Sequence, residues 1–272
     1  MTETPLLSEL FRIGMEGTPP ELRGNGPVLI VDGVARLFDD VQSEIQAERV
    51  RAIGLRRQHL ERLVSIVKTR RIAMYGVQVE DLSPLRRMDG LEWLLMTWNT
   101  KVTSLEPLAD VRTLTRLSIS DTPKVRDLDP IASLTALEAL NYSGGIWNKN
   151  TAASLEPITR LPKLQELVLT NLKVLDGGLR PLSRLTSLRV LELSNQFETE
   201  DYAYLSVALP NTACRHFAPY VTLNTKGMDA DTMVVGRRKP FLNATRDAER
   251  LAKYVADFER LQARFRAEPA AR

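Results

Sequence analysis

Residues 105–119 read Leu-Glu-Pro-Leu-Ala-Asp-Val-Arg-Thr-Leu-Thr-Arg-Leu-Ser-Ile, and the period of the apolar positions changes along the stretch. At its end Leu117 and Ile119 flank Ser118, so the two apolar side chains share one face of a short strand and Ser118 points to the other. At its start Pro107 suits the first turn of a helix, where a missing N–H costs nothing and a fixed φ helps. The opening fragment, Leu-x-Pro followed by Leu or Ile, recurs at Leu82, Leu105, Leu128, Leu155 and Leu179, at spacings of 23, 23, 27 and 24 residues. Each copy leads into a strand-like pair: Leu94 and Met96, Leu117 and Ile119, Leu140 and Tyr142, Leu167 and Leu169, Leu191 and Leu193. One strand plus one short helix cannot bury its own leucines, whereas stacked units share a continuous core.

These residues carry a resemblance to the leucine-rich repeat, in the short class found in internalins and in the leucine-rich regulatory subunit of protein phosphatase 1. The resemblance implies an α/β leucine-rich-repeat solenoid, with a curved parallel sheet on the concave face and short helices on the convex face. It is strong over residues 72 to about 209. The asparagine that bonds backbone along the inner turn of that repeat fits Asn99 and, one place early, Asn171 and Asn195; Thr122 stands in its place in the second full unit.

Upstream, residues 50–55 and 72–74 read as two further strands, separated by a helix with Leu60, Leu63, Val64 and Val67 on one face. Downstream, residues 213–217 read as a last strand, so the expectation is seven or eight parallel strands from near residue 50 to near residue 217. The domain reading is an N-terminal cap over 1–49, the solenoid over 50–217 and a C-terminal cap over 218–272. In the first cap a strand at 28–31 precedes a helix lined by Val34, Leu37, Phe38, Val41 and Ile45. In the last, a β hairpin around 236–239 precedes an amphipathic helix carrying Leu251, Val255, Phe258, Leu261 and Phe265, with Thr245 as N-cap.

Composition narrows the function classes. With 43% hydrophobic and 26% charged residues among 272, the chain can bury a core, which sets disorder aside as its main theme. No run approaches a membrane span, and the opening Met1-Thr2-Glu3-Thr4-Pro5 lacks the plan of a secretory signal, so the expectation is a cytoplasmic protein without a membrane role. One cysteine, Cys214, and two histidines, His59 and His216, leave no basis for a disulfide scaffold or a zinc site, and no metal or cofactor is expected.

The net charge of +3 hides a polarised layout: residues 1–48 carry three basic and nine acidic side chains, residues 49–71 eight and one. The basic residues of that second segment, Arg49, Arg51, Arg56, Arg57, Arg62, Lys68, Arg70 and Arg71, suit phosphates electrostatically, but the segment lacks aromatic residues to stack on bases. It reads instead as a solvated face or as the contact for the acidic first segment, which ranks nucleic-acid binding below protein binding.

Catalytic signatures are sparse. Cys214 and His216 fall on one face of a strand, but no orienting carboxylate is identifiable, so packing is the preferred reading. Arg23-Gly24-Asn25-Gly26 lacks the ending of a phosphate loop, and Asp229 with Asp231 lacks further oxygen ligands.

The concave sheet is where the repeat places solvent-facing side chains. Before and between the core residues it sets Trp93, Leu95, Arg116, Asn141, Glu166 and Glu192, and just past the first full strand Trp98. The face therefore runs from aromatic to acidic along the stack. The unit between Leu137 and Leu164 is four residues longer than the 23-residue units before it, and the excess lies in a loop carrying Ile146 and Trp147. Trp93, Leu95, Trp98, Arg116, Asn141, Trp147, Glu166 and Glu192 are thus the candidate partner-binding residues. For the tryptophans the rival occupant is intramolecular, the apolar stretch Leu6, Leu7, Leu10, Phe11 and Ile13.

The reading is a non-catalytic protein that binds another protein, with a scaffold or inhibitor role implied by the resemblance. The alternatives are an enzyme or modifier with its active element in the terminal segments, and a binder of nucleic acid or an acidic surface through residues 49–71.

Overall fold

The computed structural model describes residues 28–32, 43–224 and 229–268. The expected helix through Val34, Leu37, Phe38 and Val41, the apolar stretch from Leu6 to Ile13 and the turn at Gly24 and Gly26 lie outside them.

Eight parallel strands form one sheet: β1 (Val28–Asp32), β3 (Arg49–Ile53), β5 (Arg71–Tyr75), β6 (Trp93–Thr97), β7 (Arg116–Ser120), β8 (Ala139–Ser143), β10 (Glu166–Leu169) and β12 (Val190–Leu193), in that order. The sheet begins one strand earlier than the spacing predicts, at Val28, and beyond β12 residues 213–217 contribute a single bridge, Val190 to Ala213, in place of a strand. Leu94, Leu117, Leu140, Leu167 and Leu191 pair across successive strands and are at most 1% exposed, which makes the stack one continuous core.

The convex return segments are 3-10 turns of five residues, Ser83–Arg87, Glu106–Asp110, Asp129–Ser133, Glu156–Arg160 and Arg180–Arg184, each with proline in its first positions. Units this short leave room for i to i+3 closure only. A recurring cap starts them: the side chains of Asp81, Ser104, Asp127 and Ser154 accept the backbone N–H of Ser83, Glu106, Asp129 and Glu156 at 2.8–3.1 Å. Between β3 and β5 the return is a true helix, α1 (Arg57–Ile66), burying Leu60, Leu63, Val64 and Ile66. Ile45, expected on a helix, lies in β2 (Ile45–Gln46), which pairs with β4 (Val67–Lys68).

Asparagines hold the turns, though not all of those expected. Asn99 is fully buried; its Oδ1 accepts the Val77 N–H at 2.7 Å and its Nδ2 donates to the Met74 carbonyl at 3.2 Å. The gap at Thr122 is filled from the lengthened unit, where Asn150 Oδ1 accepts the Thr122 N–H at 3.0 Å. Asn150 opens β9 (Asn150–Ser154), which pairs with β11 (Leu172–Asp176) as a second, two-stranded sheet. Asn171 and Asn195 serve other ends. Asn171 donates to the carbonyls of Gly145 and Asn148, and Asn195 bonds Val234 O and Gly236 N.

Beyond the last repeat, α2 (Thr199–Ala208) packs against α3 (Ala248–Ala267), with Tyr204 edge-on to Phe265 at 5.3 Å. Between them β13 (Tyr220–Thr222), β14 (Thr232–Val234) and β15 (Phe241–Leu242) form an antiparallel sheet, one strand more than the expected hairpin. The N-cap of α3 is Asp247 rather than Thr245.

Candidate functional site

Strand register arranges the concave face in rows. The first row holds Arg49, Arg71, Trp93, Arg116, Ala139, Glu166 and Val190; the second holds Ile30, Arg51, Ala73, Leu95, Ser118, Asn141, Val168 and Glu192. In the first row Trp93 lies between two guanidinium groups, with Arg71 Cζ 4.2 Å and Arg116 Cζ 5.2 Å from its ring centroid. Arg116 also reaches across Ala139 to Glu166, Nη1 to Oε2 at 3.8 Å, with side chains only 11% and 16% exposed. Three of the residues singled out from sequence, Trp93, Arg116 and Glu166, are therefore joined in one chain of contacts.

In the second row Leu95 and Glu192 are half-buried. Asn141 is fully buried, its amide donating to Ser118 Oγ at 3.3 Å and its carbonyl accepting from Ser143 Oγ. It shapes the floor of the face and offers a partner nothing.

Past the strands the backbone turns outward through a left-handed residue. Gly54 and Gly76 take this place in the first two units, Trp98 (φ 57°) and Asp121 (φ 53°) in the next two. All four N–H groups bond the following strand, Trp98 to Ser120 O at 3.2 Å among them. Left-handed φ is free for glycine and costs a bulky residue roughly 1–2 kcal/mol. Trp98 is nonetheless 41% exposed, its ring 4.8 Å from that of Tyr75.

Two strands further along the same edge, the four-residue excess forms a loop that projects Ile146 and Trp147, 61% and 85% exposed. They do not fold down over the solenoid. Asn148 Nδ2 donates to Asp121 Oδ1 at 3.2 Å, the amide of Asn171 ties Gly145, and a Cβ on Gly144 or Gly145 would collide with Asn171 or Asp121, so the base of the loop is tightly set.

The basic segment does not form one stripe. Arg57 pairs with Glu61 and Asp81 at 2.9 and 3.1 Å, Arg70 with Glu92, Arg49 with Glu48 at 3.6 Å and Lys68 with Glu44 at 4.0 Å. Arg51 and Arg71 instead face the concave side, because β3 and β5 belong to the same sheet as the regular repeats. Sequence reading left both out of the candidate set, although extending the repeat register upstream from Trp93 assigns them.

Cys214 and His216 show the reverse of an activated pair. Burial pushes the thiol up to about 11 and the imidazole down to about 4. His216 is fully buried beside Tyr202, ring centroids 5.4 Å apart, and neither ring nitrogen has a hydrogen-bond partner among the described residues. A groove of about 770 Å³ on the strand-entry edge is lined by Glu138, Lys163, Gln165, Arg189 and Asn211, among others, and neither Cys214 nor His216 lines it. Among the described residues no three or more His, Cys, Asp or Glu converge as metal ligands, and no helix is long and apolar enough to cross a membrane.

The depressed imidazole predicts a pH effect. An unfolded chain protonates His216 below about pH 6.5, whereas the folded one resists until about pH 4. Stability is therefore full above about 6.5 and falls as pH drops through that window, at up to about 1.4 kcal/mol per unit. Urea unfolding between pH 7 and 4.5 measures it; His216→Phe flattens the dependence, and an unchanged slope contradicts the assignment.

No protein-family model matches the chain, and no curated protein matches it. Solved structures do, 61 chains in all. They include internalin C2 of Listeria monocytogenes, 21% identical with a TM-score of 0.49, the match covering 62% of this chain and 70% of that one. Another is an internalin, InlF, of the same organism, 18% identical with a TM-score of 0.39, covering 61% and 66%. The chain's own geometry, eight parallel strands stacked in register with proline-led 3-10 turns joining the last six, is that of a leucine-rich-repeat solenoid.

Proposed function

We propose that this protein is a non-catalytic interaction module that binds another protein on its concave face and the adjoining strand-exit edge, in a scaffold or inhibitor role. The observation that carries the reading is Trp98. A large ring is held 41% exposed at a left-handed position that two neighbouring units fill with glycine. Strain of this kind persists where function maintains it. Ile146 and Trp147 extend the exposed apolar surface along the same edge, and tryptophan dominates the binding energy of many interfaces. Against catalysis by Cys214 and His216 stand their opposed ionisation shifts. A half-buried free cysteine suits a reducing compartment, and cytoplasmic action is part of the proposal.

Affinity capture from lysate of the native cell tests it. Asparagine accepts left-handed φ, as Asn171 does in this chain, so Trp98→Asn leaves the fold intact. Combined with Trp93→Ala, it is expected to leave thermal unfolding within a few degrees of the parent and to remove the captured partner. Undiminished capture by the double variant refutes the reading.

A further inference from the structure

The entry half of the concave face gathers guanidinium groups on neighbouring strands. Arg49, Arg71 and Arg116 lie in one row with Trp93 among them, and Arg51 stands in the next row on β3. Two of these have carboxylates: Glu48 for Arg49 and Glu166 for Arg116. The guanidinium groups of Arg51 and Arg71 have no ion pair or hydrogen bond among the described residues; that of Arg71 is held by its stack on Trp93 and that of Arg51 stands near Tyr75. A guanidinium laid on an indole keeps its N–H edge free, and that edge matches a carboxylate in two parallel hydrogen bonds. Like charges on adjacent strands repel, so an anion seated between them relieves a cost present in the empty face.

Resting on the reading above, we infer that β3 to β7 form a carboxylate-binding site for a short acidic segment of the partner protein. Arg51 and Arg71 are the donors and Trp93 positions Arg71. The length follows from the sheet. Four strands about 4.8 Å apart span roughly 14 Å, or about four residues of extended chain crossing them. A longer acidic run meets Glu166 and Glu192 beyond β8. The same acidic half opposes a continuous polyphosphate backbone. Trp93 is flanked by arginines on both neighbouring strands, which leaves its faces closed to stacking bases.

Fluorescence anisotropy with labelled peptides on the full chain tests this. The probes are a four-glutamate run in a Gly/Ser frame, the same frame with four glutamines, the same with four phosphoserines, and a short single-stranded RNA. The glutamate peptide is expected to bind with salt-sensitive affinity and the glutamine peptide at least roughly tenfold more weakly. Arg51→Glu with Arg71→Glu is expected to weaken the glutamate peptide by about tenfold or more, while Arg56→Glu, half that charge change at the exposed N-cap of α1, leaves it within about twofold. Arg51→Gln with Arg71→Gln, which keeps similar stems, is measured alongside, so that misfolding of the charge reversal cannot decide the result. Absence of binding at about 1 mM, equal loss with Arg56→Glu, or phosphoserine or RNA binding roughly tenfold tighter than glutamate overturns the inference. If these fail while lysate capture still depends on Trp93 and Trp98, the interaction reading stands and only the acidic segment falls.

Discussion

Replacing Leu117 with alanine is expected to lower stability by about 3–5 kcal/mol and to split the unfolding transition. Leu117 is fully buried on β7, paired with Leu94 on one side and Leu140 on the other. Truncating a buried leucine loses its transfer free energy and leaves a cavity that the surroundings only partly fill. A solenoid cannot spread that loss, because each unit touches only its neighbours and stability is close to a sum of unit and interface terms. Strand β7 is near the middle of the sheet, with β1 to β6 on one flank and β8 to β12 on the other. Weakening it uncouples the halves, so urea unfolding followed by circular dichroism should show two phases. Leu191→Ala, on the last strand of the sheet, should cost stability yet keep one phase. A single sharp transition for Leu117→Ala with less than about 1 kcal/mol lost would contradict the shared core.

Asn99→Ala is expected to cost about 2–4 kcal/mol, more than its small change in apolar volume explains. The side chain completes two buried backbone groups, the Val77 N–H and the Met74 carbonyl. Removing it leaves both without partners where water does not reach, at roughly 1–3 kcal/mol each. Asn99→Asp separates hydrogen bonding from packing. Its carboxylate keeps the acceptor for Val77 but faces the Met74 carbonyl, and protonation turns that oxygen into a donor. Burial raises the pKa of such a carboxyl, so the Asp variant should regain stability relative to the parent as pH falls from 7 toward 5. A neutral Asn99→Ala in thermal unfolding would remove the asparagine from its structural role.

Both expectations rest on features of different legibility. The pairs around Leu94, Leu117, Leu140, Leu167 and Leu191 were open to reading because burial of one strand face imposes a period of two on any sequence that forms it. The prolines marked the return turns because ring geometry restricts them to first-turn positions. Asn171 and Asn195 misled, since a polar side chain one residue out of register points to a different neighbour. Their true partners, Gly145 with Asn148 and Val234 with Gly236, come from segments about 25 and 40 residues away in the chain. Thr122 shows the same limit: Asn150 reaches it only because the added loop delays the turn.

By itself the sequence determined the solenoid, its five proline-led units and the pair of core residues on each of their strands, since local periodicity dictates which side chains a strand turns inward. Only the tertiary structure decided which side chains of the concave face are available. It buried Asn141, tied Arg116 to Glu166, stood Trp147 out in solvent, and brought Arg51 and Arg71 onto the face beside Trp93. The physical reason is that exposure and pairing depend on how long side chains from separate strands meet across the sheet, and no single strand's sequence contains that distance.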